Sequence, residues 1–166
     1  MIDRKRKNVR LYGYDYSQAG GYFVTICTSE RNCALCRILP GNQFVQAEVR
    51  LSELGSIADD VLHEVSERTG ICLTDYVIMP NHIHMILQIP AGGAEHTIGK
   101  YVGMFKSLTL HRWRNICNRK GIVMGTVWQR NYYEHILRNE ADYLEKKRYI
   151  QENPDAWVLD ELYRAE

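Results

Sequence analysis

No apolar run in this chain approaches the ~20 residues that a membrane-crossing helix needs, and none follows the opening Met1-Ile2-Asp3-Arg4-Lys5-Arg6-Lys7, where a secretory signal would place one. The five cysteines, at 27, 33, 36, 72 and 117, are an odd set with no secretory context around them, so the expectation is a soluble, cytoplasmic protein with reduced thiols. Cys33-Ala-Leu-Cys36 has CxxC spacing, but no second CxxC exists to complete a four-ligand zinc site, and the plainer reading is two thiols in a hairpin. Internal repeats, low-complexity tracts and linkers are also missing. The 166 residues therefore read as one domain, 1–166, with 1–15 as a basic amino-terminal arm. A hydrophobic fraction of 45% and a charged fraction of 25% exclude disordered and fibrous classes without naming a function.

Acidic residues are absent between Glu95 and Glu134, a stretch that carries Lys100, Lys106, Arg112, Arg114, Arg119, Lys120 and Arg130. The formal net charge of +1 thus hides a segregation, repeated in Arg4, Lys5, Arg6, Lys7 and Arg10. Such tracts are the electrostatic footprint of a polyanion partner, and equally that of a solvated helix face. Interleaved Tyr101, Phe105, Trp113, Trp128, Tyr132 and Tyr133 favour the first reading, because unpaired bases stack on such rings.

Tyr22 to Thr28, β-branched and aromatic after Gly20-Gly21, predicts a strand. Pro40-Gly41-Asn42 predicts a hairpin turn, followed by a strand over Phe44 to Val49. Leu54, Ile57, Ala58, Val61, Leu62 and Val65 fall at helical spacing between a Ser52 cap and a Gly70 stop. Ile71 to Met79 and His82 to Ile89 read as an antiparallel pair joined at Pro80-Asn81. A second helix is expected from a Thr97 cap to Lys120, with Ile98, Tyr101, Val102, Phe105, Leu108, Trp113 and Ile116 inward. Val127 to Leu137 supplies a further strand, and Asn139 caps a last helix that ends near Pro154. Strand, helix, strand, strand, helix, strand is the split βαβ order: an α+β, ferredoxin-like antiparallel sheet backed by two helices, with an extra carboxy-terminal helix.

The chemistry concentrates in two places. In Met79-Pro80-Asn81-His82-Ile83-His84-Met85-Ile86-Leu87, strand alternation puts Ile83, Met85, Leu87 and Ile89 on the core face and leaves His82 and His84 side by side on the other. That spacing suits one shared metal ion, or is an incidental pair of surface histidines. In Tyr149-Ile150-Gln151-Glu152-Asn153-Pro154, Tyr149 and Asn153 lie four apart on one helical face, displaced from the stripe of Tyr143, Leu144, Lys147 and Ile150. Tyr149 is then either a functional phenol or one more packed aromatic.

Taken together, YFVTICT, MPNHIH, VGMFKS, WQRNYYEHILRNE and YIQENPDAW resemble the single-tyrosine HUH transposases of insertion-sequence type, and more narrowly the REP-associated tyrosine transposase branch. The resemblance implies a metal-dependent enzyme that cuts and rejoins single-stranded DNA through a 5′-phosphotyrosine intermediate, with the nucleophile carried on the last helix. It makes His82 and His84 metal ligands, Tyr149 the nucleophile and Asn153 the polar residue completing the metal site, with Mg²⁺ or Mn²⁺ bound. The partner would be single-stranded DNA with a hairpin, and the resemblance leaves a homodimer open, since related enzymes can complete the site across two subunits while the REP-associated branch can act as monomers. Lys106, Ser107, Trp128, Gln129, Arg130, Asn131 and Arg138 are candidates for holding the DNA, as donors and rings suit phosphates and unstacked bases. Two alternatives stand beside this: a DNA-hairpin-binding protein without cleavage chemistry, and a zinc enzyme on small substrates with Cys72 as third ligand.

Overall fold

The computed structural model describes residues 18–41 and 44–164, so the basic arm at 1–15 and Asn42 of the expected turn lie outside the described residues. Strand β1 (Gly20–Cys27) leads to a hairpin of β2 (Cys36–Leu39) and β3 (Glu48–Leu51), then helix α1 (Glu53–Thr69). Strands β4 (Cys72–Met79) and β5 (His82–Ile89), helix α2 (Ile98–Lys120), strand β6 (Tyr133–Leu137) and helix α3 (Glu140–Glu152) follow. The main sheet runs β4-β5-β1-β6, all pairs antiparallel, which is the ferredoxin-like order with the β2–β3 hairpin inserted. Among the described residues no helix is long and apolar enough to cross a membrane.

Local chemistry sets the helix ends. Ser52, Thr97 and Asn139 each accept a hydrogen bond from the backbone N–H three residues on, and Gly70 and Gly121 close α1 and α2 in the left-handed conformation. The sheet then sorts its side chains by alternation. Tyr22, Val24 and Ile26 of β1 and Ile83, Met85, Leu87 and Ile89 of β5 pack against α1 and α2. Phe23 and Ile86 face the other way and meet Ile150 of α3. Helix α3 is tied to this second face by Tyr143 and Lys147, which reach Asp75 of β4 at 2.9 and 3.2 Å, and by Asp142, which meets His135 of β6 at 2.9 Å. The expected α3 stripe is narrower than its spacing suggests: Leu144 stays half exposed and Lys147 serves as an ion-pair partner.

Two strands are shorter than expected. Phe44 and Val45 are exposed, and pairing in the hairpin begins only at Glu48. The run from Val127 is interrupted: Trp128 bridges Thr28 and Tyr133 pairs with Thr25, so five steps along this segment oppose three along β1. Residues 129–132 therefore bulge out of the ladder.

Gly55 in the first turn of α1 lies directly against the backbone of Leu35, and a Cβ there would fall on the Leu35 carbonyl oxygen. Gly55→Ala, ordinarily favourable in a helix, is expected to destabilise the protein by about 1–3 kcal/mol, as overpacking does. A melting temperature equal to or above that of the wild type would contradict this packing.

Candidate active site

His82 and His84 project from β5 onto the face covered by α3, and both are buried. Each ring is fixed through Nδ1: His82 to the Asn81 side-chain oxygen at 2.8 Å, His84 to the Thr25 hydroxyl at 2.8 Å. The ring centroids are 4.4 Å apart, and both Nε2 atoms are buried without a hydrogen-bond partner. Orphaned polar atoms of this kind are costly unless something fills the space between them. A third, the Asn153 side-chain oxygen, is equally buried and unpartnered.

Tyr149 and Asn153 share a helical face as expected, and both reach a residue that sequence reasoning missed. The Tyr149 hydroxyl donates to Asp160 Oδ2 at 3.0 Å and the Asn153 amide donates to the same oxygen at 2.8 Å. His82, His84 and Asp160 form a possible metal site, with their ligand atoms all within 4.8 Å of one another. Two neutral imidazoles, a carboxylate and an amide oxygen suit a divalent cation. Asp160 lies beyond α3 in a stretch with no motif, so only the coordinates bring it in. The Tyr149 ring stands 5.1 Å from that of His84 and 6.1 Å from that of Phe23.

Burial sets the electrostatics. It pushes His82 down to about 4, although the charge of Asp160 opposes the shift, and it pushes His84 down to about 3, helped by His82. Burial, then the charge and hydrogen bond of Asp160, push the Tyr149 phenol up to about 12. Asp160 itself is held below the usual carboxylate range: burial opposes this but is outweighed by the Asn153 amide, the Leu162 N–H, His82 and the Tyr149 hydroxyl. At neutral pH the pair is therefore uncharged, with both Nε2 lone pairs available. In the unfolded chain both imidazoles titrate near 6.5, so below that pH the unfolded state takes up protons that the folded state refuses until about pH 4. The metal-free protein is expected to lose stability as pH falls from 6.5 towards 4, more steeply than the His82→Gln/His84→Gln variant. Parallel melting curves for the two across that range would contradict this.

Beside the cluster opens a cavity of about 710 Å³, lined by Phe23, His84, Lys146 and Tyr149, with Arg31, Gln129, Asn131, Tyr132 and Tyr133 around it. Of the seven residues expected to hold DNA, Gln129 and Asn131 line this cavity, and Ser107, Arg130 and Arg138 do not. Trp128 is buried against Phe105 in the core, on the far side of the sheet. Lys106 is turned to backbone carbonyls. The basic helix α2 likewise packs on the opposite face from the histidines, where Arg112 pairs with Glu64 and Lys120 with Glu53 of α1. Among the described residues, Arg31 and Lys146 are the cations that line the cavity with His84. Cys72 pairs with Gln88 at the far end of β4, whereas Met79 pairs with His82. At about 3.3 Å per residue along β5, that position is roughly 13 Å from His84 and roughly 20 Å from His82, too far for a third zinc ligand. Cys36 is buried with its thiol on the Ile78 carbonyl, and Cys33 points towards that of Arg164, so the CxxC thiols diverge.

Residues 46–153 match the family described as Transposase IS200 like, a span that contains His82, His84, Tyr149 and Asn153 and stops short of Asp160. The chain belongs to the IS200-like transposase family. An uncharacterized protein of Haemophilus influenzae is 35% identical, with 95% of this chain and 93% of that protein covered. A REP-associated tyrosine transposase of Escherichia coli K12 is 32% identical over 50% of this chain and 45% of its own length. The fold resembles that of a REP-associated tyrosine transposase solved bound to a REP hairpin, with a TM-score of 0.62 at 20% identity, over 87% of this chain and 72% of that one. An IS200-like transposase is thus the frame in which the His-His-Asp cluster and its neighbouring phenol are to be read.

Proposed function

We propose that this IS200-like transposase cuts and rejoins single-stranded DNA through a covalent bond between Tyr149 and a 5′ phosphate, with His82, His84, Asn153 and Asp160 holding Mg²⁺ or Mn²⁺. The observation that carries the reading is the pair of buried, unpartnered Nε2 atoms in the cluster with Asp160, the carboxylate that also accepts the Tyr149 hydroxyl. A bound divalent cation supplies charge neutralisation on the phosphoryl oxygens and orients phosphorus for in-line attack. The chain's own residues do the rest. Asn81 and Thr25 keep the Nε2 lone pairs aimed outward. Asp160 orients the Tyr149 hydroxyl, which keeps its proton at neutral pH, so the phenol is protected until a substrate is seated.

In the forward step the Tyr149 oxygen bonds to phosphorus, the bond from phosphorus to the 3′ oxygen breaks, and the phenolic proton ends on the released 3′-hydroxyl. Attack by a second 3′-hydroxyl on the phosphotyrosine returns the proton to Tyr149 and joins the strands without an external nucleotide. The solved relative held on a REP hairpin supports a hairpin-bearing strand as the substrate here. The test is incubation with a randomised pool of 3′-labelled single strands, each carrying a hairpin, followed by a denaturing gel. Label should migrate with the protein when Mg²⁺ or Mn²⁺ is present and not in a chelator. No protein-bound label under any of these conditions overturns the reading.

A further inference from the structure

Lys106 stands on α2, a helix that otherwise serves the core, yet its side chain crosses towards the bulge between Trp128 and Tyr133. Its ammonium donates to the carbonyls of Gln129 at 2.8 Å, Arg130 at 3.3 Å and Asn131 at 3.2 Å, and lies 5.8 Å from the centre of the Tyr132 ring. An ammonium has three N–H donors and no acceptor, so all three are engaged by three successive peptide oxygens. The bulge needs such an anchor. Apart from the Gln129 N–H donating to the Cys27 carbonyl at 3.0 Å, it has left the ladder with β1. The anchored segment is also the wall of the cavity beside Tyr149, since Gln129, Asn131 and Tyr132 all line it. Among the described residues its hydrogen-bond partners are these backbone carbonyls, with no carboxylate. Lys106 is half-buried, and that burial pushes it down to about 8 against the opposing influence of Cys27.

We propose that Lys106 is a positioning residue that fixes the 129–132 bulge, so that Gln129, Asn131 and Tyr132 present a preformed surface to the unpaired bases beside Tyr149, and that it does not touch the DNA itself. A phosphate bound at Lys106 would have to displace those carbonyls, leaving them unsatisfied. Preorganisation of this kind raises affinity and selectivity by removing the ordering cost from the binding step. The part that concerns bases rests on the single-strand reading above, while the anchoring of the bulge does not.

Two variants and two readouts separate the possibilities. In DNA-free protein, Lys106→Met should speed amide hydrogen exchange at residues 129–132 by tenfold or more, with β1 and β5 unchanged; equal exchange in variant and wild type overturns the proposal. The second readout uses a strand recovered from a randomised single-stranded pool on the wild type, compared with dT20 as a sequence-neutral probe. Lys106→Met should lower the preference for the recovered strand about tenfold while the salt dependence of binding stays the same. Direct phosphate contact would instead weaken both strands alike and reduce the salt slope by ~0.7, and that result also overturns the proposal. Lys106→Arg keeps the charge, but a planar guanidinium cannot cap three converging carbonyls. It should lose preference as Lys106→Met does, and full retention by Lys106→Arg would again favour a phosphate contact. If the wild type binds neither probe, the single-strand reading fails, and the exchange experiment still decides whether Lys106 anchors the bulge.

Discussion

Tyr149→Phe is expected to abolish the covalent protein–DNA adduct and to lower strand cleavage by at least ~10³-fold, the scale on which removing a nucleophile acts. The loss should be chemical and not structural. Tyr149 is 42% exposed and its hydroxyl donates to Asp160 at 3.0 Å near the surface, so the substitution should change stability by no more than ~1 kcal/mol. Its ring contacts with His84 and Phe23 survive in phenylalanine. Tyr163 packs on Trp157, while the Tyr149 ring is the tyrosine in ring contact with His84. A denaturing gel of wild type and variant on the same labelled strands decides the matter. An adduct of unchanged yield in Tyr149→Phe would show that another residue is the nucleophile.

His82→Ala and His84→Ala should each reduce cleavage by at least ~100-fold, in keeping with the several kcal/mol that a Lewis-acid cation contributes to a phosphoryl transition state. Binding of Mn²⁺ to the DNA-free protein, followed by calorimetry, should weaken in parallel, which separates a ligand role from a merely structural one. Thr25→Val and Asn81→Ala remove the anchors of the two Nδ1 atoms and should weaken Mn²⁺ by about 10–100-fold, as partners of metal-bound imidazoles usually do. Unchanged Mn²⁺ affinity in both histidine variants would detach the imidazole pair from any metal role.

Much of this arrangement is readable in the sequence because it depends on local rules. Alternation in β5 places the two imidazoles opposite the core, and the caps at Ser52, Thr97 and Asn139 bound the helices, because each signal acts within a few residues of itself. Residues four apart on α3 bring Tyr149 and Asn153 to one face for the same reason. What escapes the sequence is pairing between distant segments. Asp160 has no spacing that announces it, since its role comes from the chain turning back over the histidines after α3. The acid-free tract between Glu95 and Glu134 suggests a polyanion surface, yet Arg112 and Lys120 are matched by Glu64 and Glu53 of α1, which only the packing of two helices reveals. Trp128 reads as a stacking platform for bases until the bulge after it shows which neighbour continues inward: Trp128 into the core, Gln129 and Asn131 towards the cavity. Cys72 fails as a ligand because strand register, invisible in the sequence, sets it at the wrong end of β4.

The central claim is that one divalent cation sits between the Nε2 atoms of His82 and His84, beside the Tyr149 phenol and within a single chain. Crystals grown with Mn²⁺ and measured at the manganese absorption edge test it most directly. One strong anomalous peak bonded to both Nε2 atoms is expected, with oxygens of Asp160 or Asn153 adjacent. A manganese peak elsewhere in the molecule, with the imidazole pair left unliganded, would contradict it.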